Sequence, residues 1–145
     1  MVIMDENYDF AIRGPDDSLR AVVEVKGGKW DDDRIRRTAP YRLAGLPPSF
    51  AHFYLLVTPS TVFVWSGEPS ERAPDYEFST RDVFSKYIKH MDTPVEQLDA
   101  HSLEILVGAW LHDLTDAPGN APDSFARTGI VDAVQGGRIY SNYAA

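Results

Sequence analysis

Two carboxylates and a lysine, carried on two consecutive extended stretches, have residue types and spacing that could do chemistry. Asp9 lies in Tyr8-Asp9-Phe10-Ala11-Ile12-Arg13, where apolar and polar side chains alternate. Glu24 and Lys26 lie in Leu19-Arg20-Ala21-Val22-Val23-Glu24-Val25-Lys26. Period-two alternation marks a strand with two distinct faces. The turn formers Gly14-Pro15-Asp16-Asp17-Ser18 between the stretches predict a hairpin. Pairing Tyr8 with Val25, Phe10 with Val23 and Ile12 with Ala21 sets apolar against apolar, and the same register sets Asp9 opposite Glu24. A slip of one residue would send Asp9 to the apolar side. Two carboxylates that close repel unless a cation lies between them. A hard divalent ion, Mg²⁺ or Mn²⁺, suits oxygen ligands and keeps several waters. Lys26 projects from the same face as Glu24 and adds a fixed positive charge.

An Asp on one strand followed about fifteen residues later by Glu-x-Lys on the next resembles the PD-(D/E)XK, or restriction-endonuclease-like, nuclease core. Asp9, Glu24, Val25 and Lys26 carry the resemblance, supported by the apolar Ala21-Val22-Val23 and by Gly27-Gly28 directly afterwards. The segments Phe53-Tyr-Leu-Leu-Val-Thr-Pro and Val62-Phe-Val-Trp are also similar to those of small, poorly characterised bacterial members, so the likeness covers roughly residues 8 to 66. The resemblance implies that the acidic pair binds Mg²⁺ (or Mn²⁺) with help from the backbone carbonyl of Val25. It also implies that Lys26 positions the attacking water or stabilises the phosphorane. The expected activity is metal-dependent hydrolysis of phosphodiester bonds in DNA or RNA. The alternative is a catalytically silent version of the fold that binds protein or nucleic acid, with Asp9, Glu24 and Lys26 as a buried ionic group. The family's fold usually opens with a helix, whereas residues 1–7 are too short for one. The core is then covered differently, or a second copy or partner chain supplies the helix, or the N-terminus is truncated.

The elements that must position these residues follow from the rest of the chain. The 145 residues, 43% hydrophobic and 12% aromatic, predict one domain with a single core. Residues 1–90 are expected to form a nuclease-like α/β core and residues 91–145 a helical C-terminal extension packed on it. The fold class is α/β, with a mixed sheet of four or five strands and helices on both faces. Strands are predicted at Phe53–Thr58 and Thr61–Trp65, joined by Pro59-Ser60, with a short edge strand at Tyr76–Phe78. Asp31-Asp-Asp-Arg-Ile-Arg-Arg reads as a helix with acids at its start, supported by Asp32–Arg36 and Asp33–Arg37 pairs. Its arginines then form a solvated face. The alternative is that Arg34, Arg37 or Arg42 contacts a phosphate, with Lys29 and Tyr41 as further nucleic-acid contacts. Pro40 ends or kinks this helix before Tyr41.

Ser79-Thr-Arg-Asp and Thr93-Pro-Val-Glu resemble capping boxes, the first opening a helix that buries Val83, Phe84, Tyr87 and Ile88. Residues 95–114 read as helix with a break near His101-Ser102, burying Leu98, Ile105, Leu106, Ala109, Trp110 and Leu111. One or two short helices are expected over Ser124–Gln135, stopped by Gly136-Gly137, and Arg138-Ile-Tyr is expected to end the chain as a strand or an ordered tail.

Other chemistries are excluded or set aside. With no cysteine, disulfides, thiolate zinc sites and cysteine nucleophiles are ruled out. No signal-peptide pattern or bilayer-length apolar run occurs, so no membrane partner and a cytoplasmic location are expected. His52, His90, His101 and His112 lack metal-type spacing and read as structural or surface residues. Trp65, Trp110 and the Tyr76/Phe78 pair read as core rather than base-stacking platforms. Residues 1–50 hold nine acids against eight basic groups, and residues 51–145 thirteen against six. A nucleic-acid partner, DNA or RNA, would therefore be held with weak non-specific affinity.

Overall fold

The hairpin forms in the register that its apolar residues demand. In the computed structural model, which describes residues 9–29, 31–36, 52–66, 73–116 and 121–141, strand β1 (Phe10–Arg13) pairs antiparallel with β2 (Leu19–Val25). Phe10 faces Val23, Ala11 faces Val22 and Ile12 faces Ala21, with a bulge between Ile12 and Arg13 where the ladder meets the turn. In the turn, Asp17 takes a left-handed φ of 66°. Asp16 accepts from the Ser18 hydroxyl at 2.7 Å and backbone at 3.1 Å, and these bonds hold its carboxyl at about 2. Tyr8 and the residues before it lie outside the described residues, as do Trp30, Arg37, Tyr41 and Arg42.

Four further strands complete a mixed sheet: β3 (Phe53–Val57), β4 (Thr61–Ser66), β5 (Tyr76–Ser79) and β6 (Arg138–Ser141). Their order is β5-β4-β3-β2-β1-β6. The β2–β3 pair is parallel and every other pair antiparallel. Among the described residues the sheet thus has six strands where about four or five were expected. The additional member of the sheet is β6, which pairs along the open side of β1, Phe10 opposite Ser141.

Each face of the sheet is covered by its own apolar cluster. Phe10, Ile12, Val23, Val25, Leu55, Val57, Val62 and Val64 face the long helix α4 (Ala100–Asp116). On the opposite face, Ala11, Val22, Tyr54, Leu56, Phe63 and Trp65 pack with Ile35 of α1, whose described residues run 32–36. Helix α4 buries Leu103, Leu106, Val107, Trp110, Leu111 and Leu114, an i, i+3, i+4, i+7, i+8, i+11 stripe. Ile105 is 53% exposed and Ala109 is exposed as well, because Ile105 points to the opposite side of the helix and Ala109 lies beyond the edge of that stripe. Trp110 meets Phe84 edge-on at 4.9 Å and Phe125 at 5.2 Å, joining α4 to the junction of α2 (Thr80–Val83) and α3 (Ser85–Ile88) and to α5 (Asp123–Ala126). Helix α6 (Ile130–Val134) adds Ile130, Val131 and Val134 to the same core.

The local signals that failed did so at helix starts. Neither expected capping box forms: Ser79 caps α2 without a side-chain bond, and Pro94 precedes only a 3₁₀ turn, Val95–Gln97. The helical run breaks at Leu98-Asp99 rather than His101-Ser102, because Asp99 Oδ1 accepts from the Ser102 backbone at 2.8 Å and starts α4 there. Asp32 does not pair with Arg36. It accepts from the Thr61 hydroxyl at 2.9 Å, while Arg36 grips Glu77 of β5 with both ends of its fork and reaches Asp33 at 2.6 Å. Trp65 and Trp110 are fully buried, as expected, but Tyr76 is 38% exposed on the edge strand.

Gly27 fixes where α4 crosses the exit of β2. A Cβ at that position would fall 2.3 Å from the backbone nitrogen of Ala100 and 2.5 Å from its Cα. Backbone atoms have no rotamer by which to yield, so Gly27→Ala must push the first turn of α4 off the sheet. The expected cost is about 3 kcal/mol, the upper end for overpacking. Urea unfolding checks this, and a change below about 0.5 kcal/mol would contradict the close approach.

Candidate functional site

Glu24 is the penultimate residue of β2 and Lys26 the first residue after it, both out of phase with Val23 and Val25. They therefore project to the α1 side of the sheet, with Val22 and Leu56, while Val23 and Val25 project to α4. Glu24 is 3% exposed, and Lys26 Nζ lies 3.0 Å from its Oε1, with the lysine side chain 26% exposed. A carboxylate this dehydrated requires a cation or strong donors. Lys26 supplies the cation from the point where the strand emerges toward solvent, and its backbone N–H donates to Val57 O at 2.9 Å, in line with the parallel ladder.

Asp9 stands in the bend before β1, where strict alternation no longer dictates its direction. Its backbone N–H donates to Val23 O at 3.0 Å, and its Oδ2 accepts from the Val25 N–H at 2.6 Å. The carboxylate is thus held against the peptide that links Glu24 to Val25. Val25 contributes its N–H to Asp9, where its carbonyl had been the expected contribution. Asp9 also contacts Glu104 of α4. Burial, and then the charge of Asp9 and a hydrogen bond between the two carboxyls, raise the Glu104 pKa above its ordinary value. Asp9 and Glu24 reach the same strand end but do not share a face as the pairing predicted: with its partner ladder ending at Phe10, Asp9 turns to the Val25 N–H and to Glu104 of α4, whereas Glu24 projects to the α1 side with Lys26.

Glu104 is the member of this group that sequence reasoning missed. Nothing in its neighbourhood along the chain marks it. Its place follows from the Asp99 cap that sets the phase of α4 and from Gly27, which lets the helix approach. Among the described residues, no group of three or more His, Cys, Asp or Glu side chains has the arrangement of a metal cage. His52, His90, His101 and His112 are all exposed. Of the expected nucleic-acid contacts, Lys29 is exposed just beyond the β2 exit and Arg34 is exposed on α1, whereas Arg37, Tyr41 and Arg42 lie outside the described residues. No described helix is long and apolar enough to cross a membrane.

In comparisons with known proteins, the chain matches no family model, no curated protein and no solved structure.

Two stability measurements follow from these partners. Lys26→Met removes the cation from a buried carboxylate. Breaking a buried pair from one side costs about 3–5 kcal/mol, and partial solvation of Lys26 reduces this to about 2. The double variant Glu24→Met/Lys26→Met should recover most of the loss. Chemical denaturation in EDTA checks both, and a neutral Lys26→Met would mean that Glu24 does not depend on the lysine. Glu104 gives the opposite sign. With its folded pKa raised, the unfolded chain releases this proton first, so stability is lost as pH climbs above the ordinary value of 4.5. Glu104→Gln keeps a neutral donor toward Asp9 at every pH. It should melt about 2–4 °C above wild type near pH 7.5, the equivalent of about 1 kcal/mol, and match it near pH 4. A difference that does not vary with pH would contradict the Asp9–Glu104 contact.

Proposed function

We propose that the chain is a metal-dependent nuclease with a restriction-endonuclease-like core, cleaving phosphodiester bonds of DNA or RNA at the exit of β2. The observation that carries this reading is a buried Glu24 ion-paired to Lys26, with Asp9 hydrogen-bonded to the very next peptide. Burial of an acid in the valine-rich run Ala21–Val25, with its cation supplied by Lys26 just past the strand, is costly for a purely structural role. The donors are hard oxygens, which suit Mg²⁺ or Mn²⁺, with Asp9 and Glu24 as the residues that would hold the ion. When bound, such an ion acidifies a water and screens charge developing on phosphorus.

The remaining roles belong to the chain itself. Lys26, partly exposed, orients a water and donates toward a phosphate oxygen. The Val25 N–H fixes one oxygen of Asp9 beside the peptide that follows Glu24. The β2–β3 pair is the parallel element of the sheet, and the carboxyl end of parallel strands is where α/β sheets carry their ligand crevices. A second reading has its own supporting observation: Asp9 already shares a hydrogen bond with Glu104, as expected for a silent fold that closes the acidic group without metal.

Digestion of plasmid, single-stranded DNA and RNA with added Mg²⁺ or Mn²⁺ separates the two. Cleavage should fall at least about 100-fold in Glu24→Ala and Lys26→Ala and be abolished by EDTA. Wild type no faster than these variants, together with no Glu24-dependent Mn²⁺ uptake in calorimetry, would leave the silent fold as the correct description.

A further inference from the structure

Beyond the β2 exit lies a half-open cleft that the hydrolytic reading does not use. It is walled by Gly28 and Lys29 after β2, by Pro59 and Ser60 after β3, and by Glu96 of the 3₁₀ turn, and encloses about 300 Å³. Both parallel strands empty into it. Its volume is at the low end of small-molecule pockets, which run from roughly 300 to 1,000 Å³. That is room for one nucleotide-sized group and far too little for a duplex.

The charge of the cleft is also specific. Glu96 is gripped by the fork of Arg81, Nε to Oε2 at 3.0 Å and the second arm to Oε1, so its negative charge is matched. Arginine pulls the Glu96 pKa down, and the carboxylate stays ionised and able to accept further hydrogen bonds. Lys29 makes no ion pair among the described residues. Among the described residues it is the cation of the cleft without an ion-pair partner, three positions from Lys26. The Ser60 hydroxyl, 3.3 Å from that of Thr58, adds a polar group that donates or accepts, and the buried ring of Pro59 gives an apolar wall. Gly28, at φ 82°, leaves nothing within 4 Å of where a Cβ would stand.

We propose that this cleft seats one nucleotide of a single strand, its phosphate on Lys29 and Ser60, its sugar hydroxyl or base N–H on Glu96, and its ring against Pro59. The proposal rests on the nuclease reading and adds the substrate form: single-stranded nucleic acid, engaged through one phosphate beyond the cleavage point.

The test is fluorescence anisotropy of the full chain in EDTA, with a labelled eight-thymidine strand and an eight-base-pair duplex, from low to moderate salt. The single strand should bind and the duplex should not. One phosphate contact predicts a log K against log salt slope of about −0.7. Lys29→Ala should weaken binding about tenfold, and Ser60→Trp, which fills the cleft from an exposed position, should abolish it while melting as wild type does. Equal binding of duplex, a slope of several units, or unchanged affinity in Lys29→Ala would each overturn the cleft. Cleavage with Mg²⁺ is scored separately. A wild type that cuts while Lys29→Ala binds normally loses the cleft and keeps the nuclease. A wild type that binds through Lys29 but never cuts keeps the cleft and loses the nuclease.

Discussion

Strand β2 is hydrogen-bonded on both edges and covered on both faces, and this double enclosure constrains the rest of the molecule. From Ala21 to Val25 each residue is buried, so a polar side chain in that run must bring its own partner or be excluded. Glu24 is the exception that the enclosure tolerates. It sits next to the strand's end, where Lys26 reaches it from a partly wet position, and the bend at Asp9 puts a second acid against the following peptide. Two positions earlier, the same carboxylate would have had no route to a solvated cation. The location of the candidate chemistry is therefore tied to the geometry of burial as much as to residue identity.

How much of this was legible depended on whether the signal was local. The hairpin register followed from alternation alone, because a slip would have exposed Phe10 and Ile12 together. The β3–β4 and β5 strands followed from β-branched and aromatic runs between turn formers. Helix starts were less legible, since Ser79 and Thr93 carry cap-like residues that the backbone does not use, whereas Asp99 caps α4 through a signal easily passed over. The apolar face of α4 was assigned too broadly because Ile105 and Ala109 are hydrophobic without being inward. Glu104 was invisible for a different reason: its meeting with Asp9 joins residues far apart in the chain, through a helix whose phase no local pattern reveals.

The acidic composition takes on a structural meaning once its partners are named. Arg36 is committed to Glu77 and Asp33, Arg81 to Glu96, Arg20 to Asp16, and Arg138 to Asp17. Such surface pairs contribute little stability individually. Their larger effect is to take these guanidinium groups out of circulation, so that among the described residues positive charge near the β2 exit is carried by Lys26 and Lys29.

The position of β6 bears on how the fold is reached. Strand β1 lies between β2, its neighbour in sequence, and β6, whose residues come some 130 positions later, Phe10 opposite Ser141. The hairpin closes through a short loop, but the second edge of β1 waits until the chain has passed β5 and crossed back over the sheet through α4. Pairings of such long sequence separation are slow, because the entropy of closing the loop is lost before contacts return it. Until β6 docks, β1 is an open edge with unpaired amide and carbonyl groups. During synthesis the sheet is therefore unfinished on the β1 side until residues 138–141 have emerged, and that interval is when this chain is most exposed to pairing with the wrong strand.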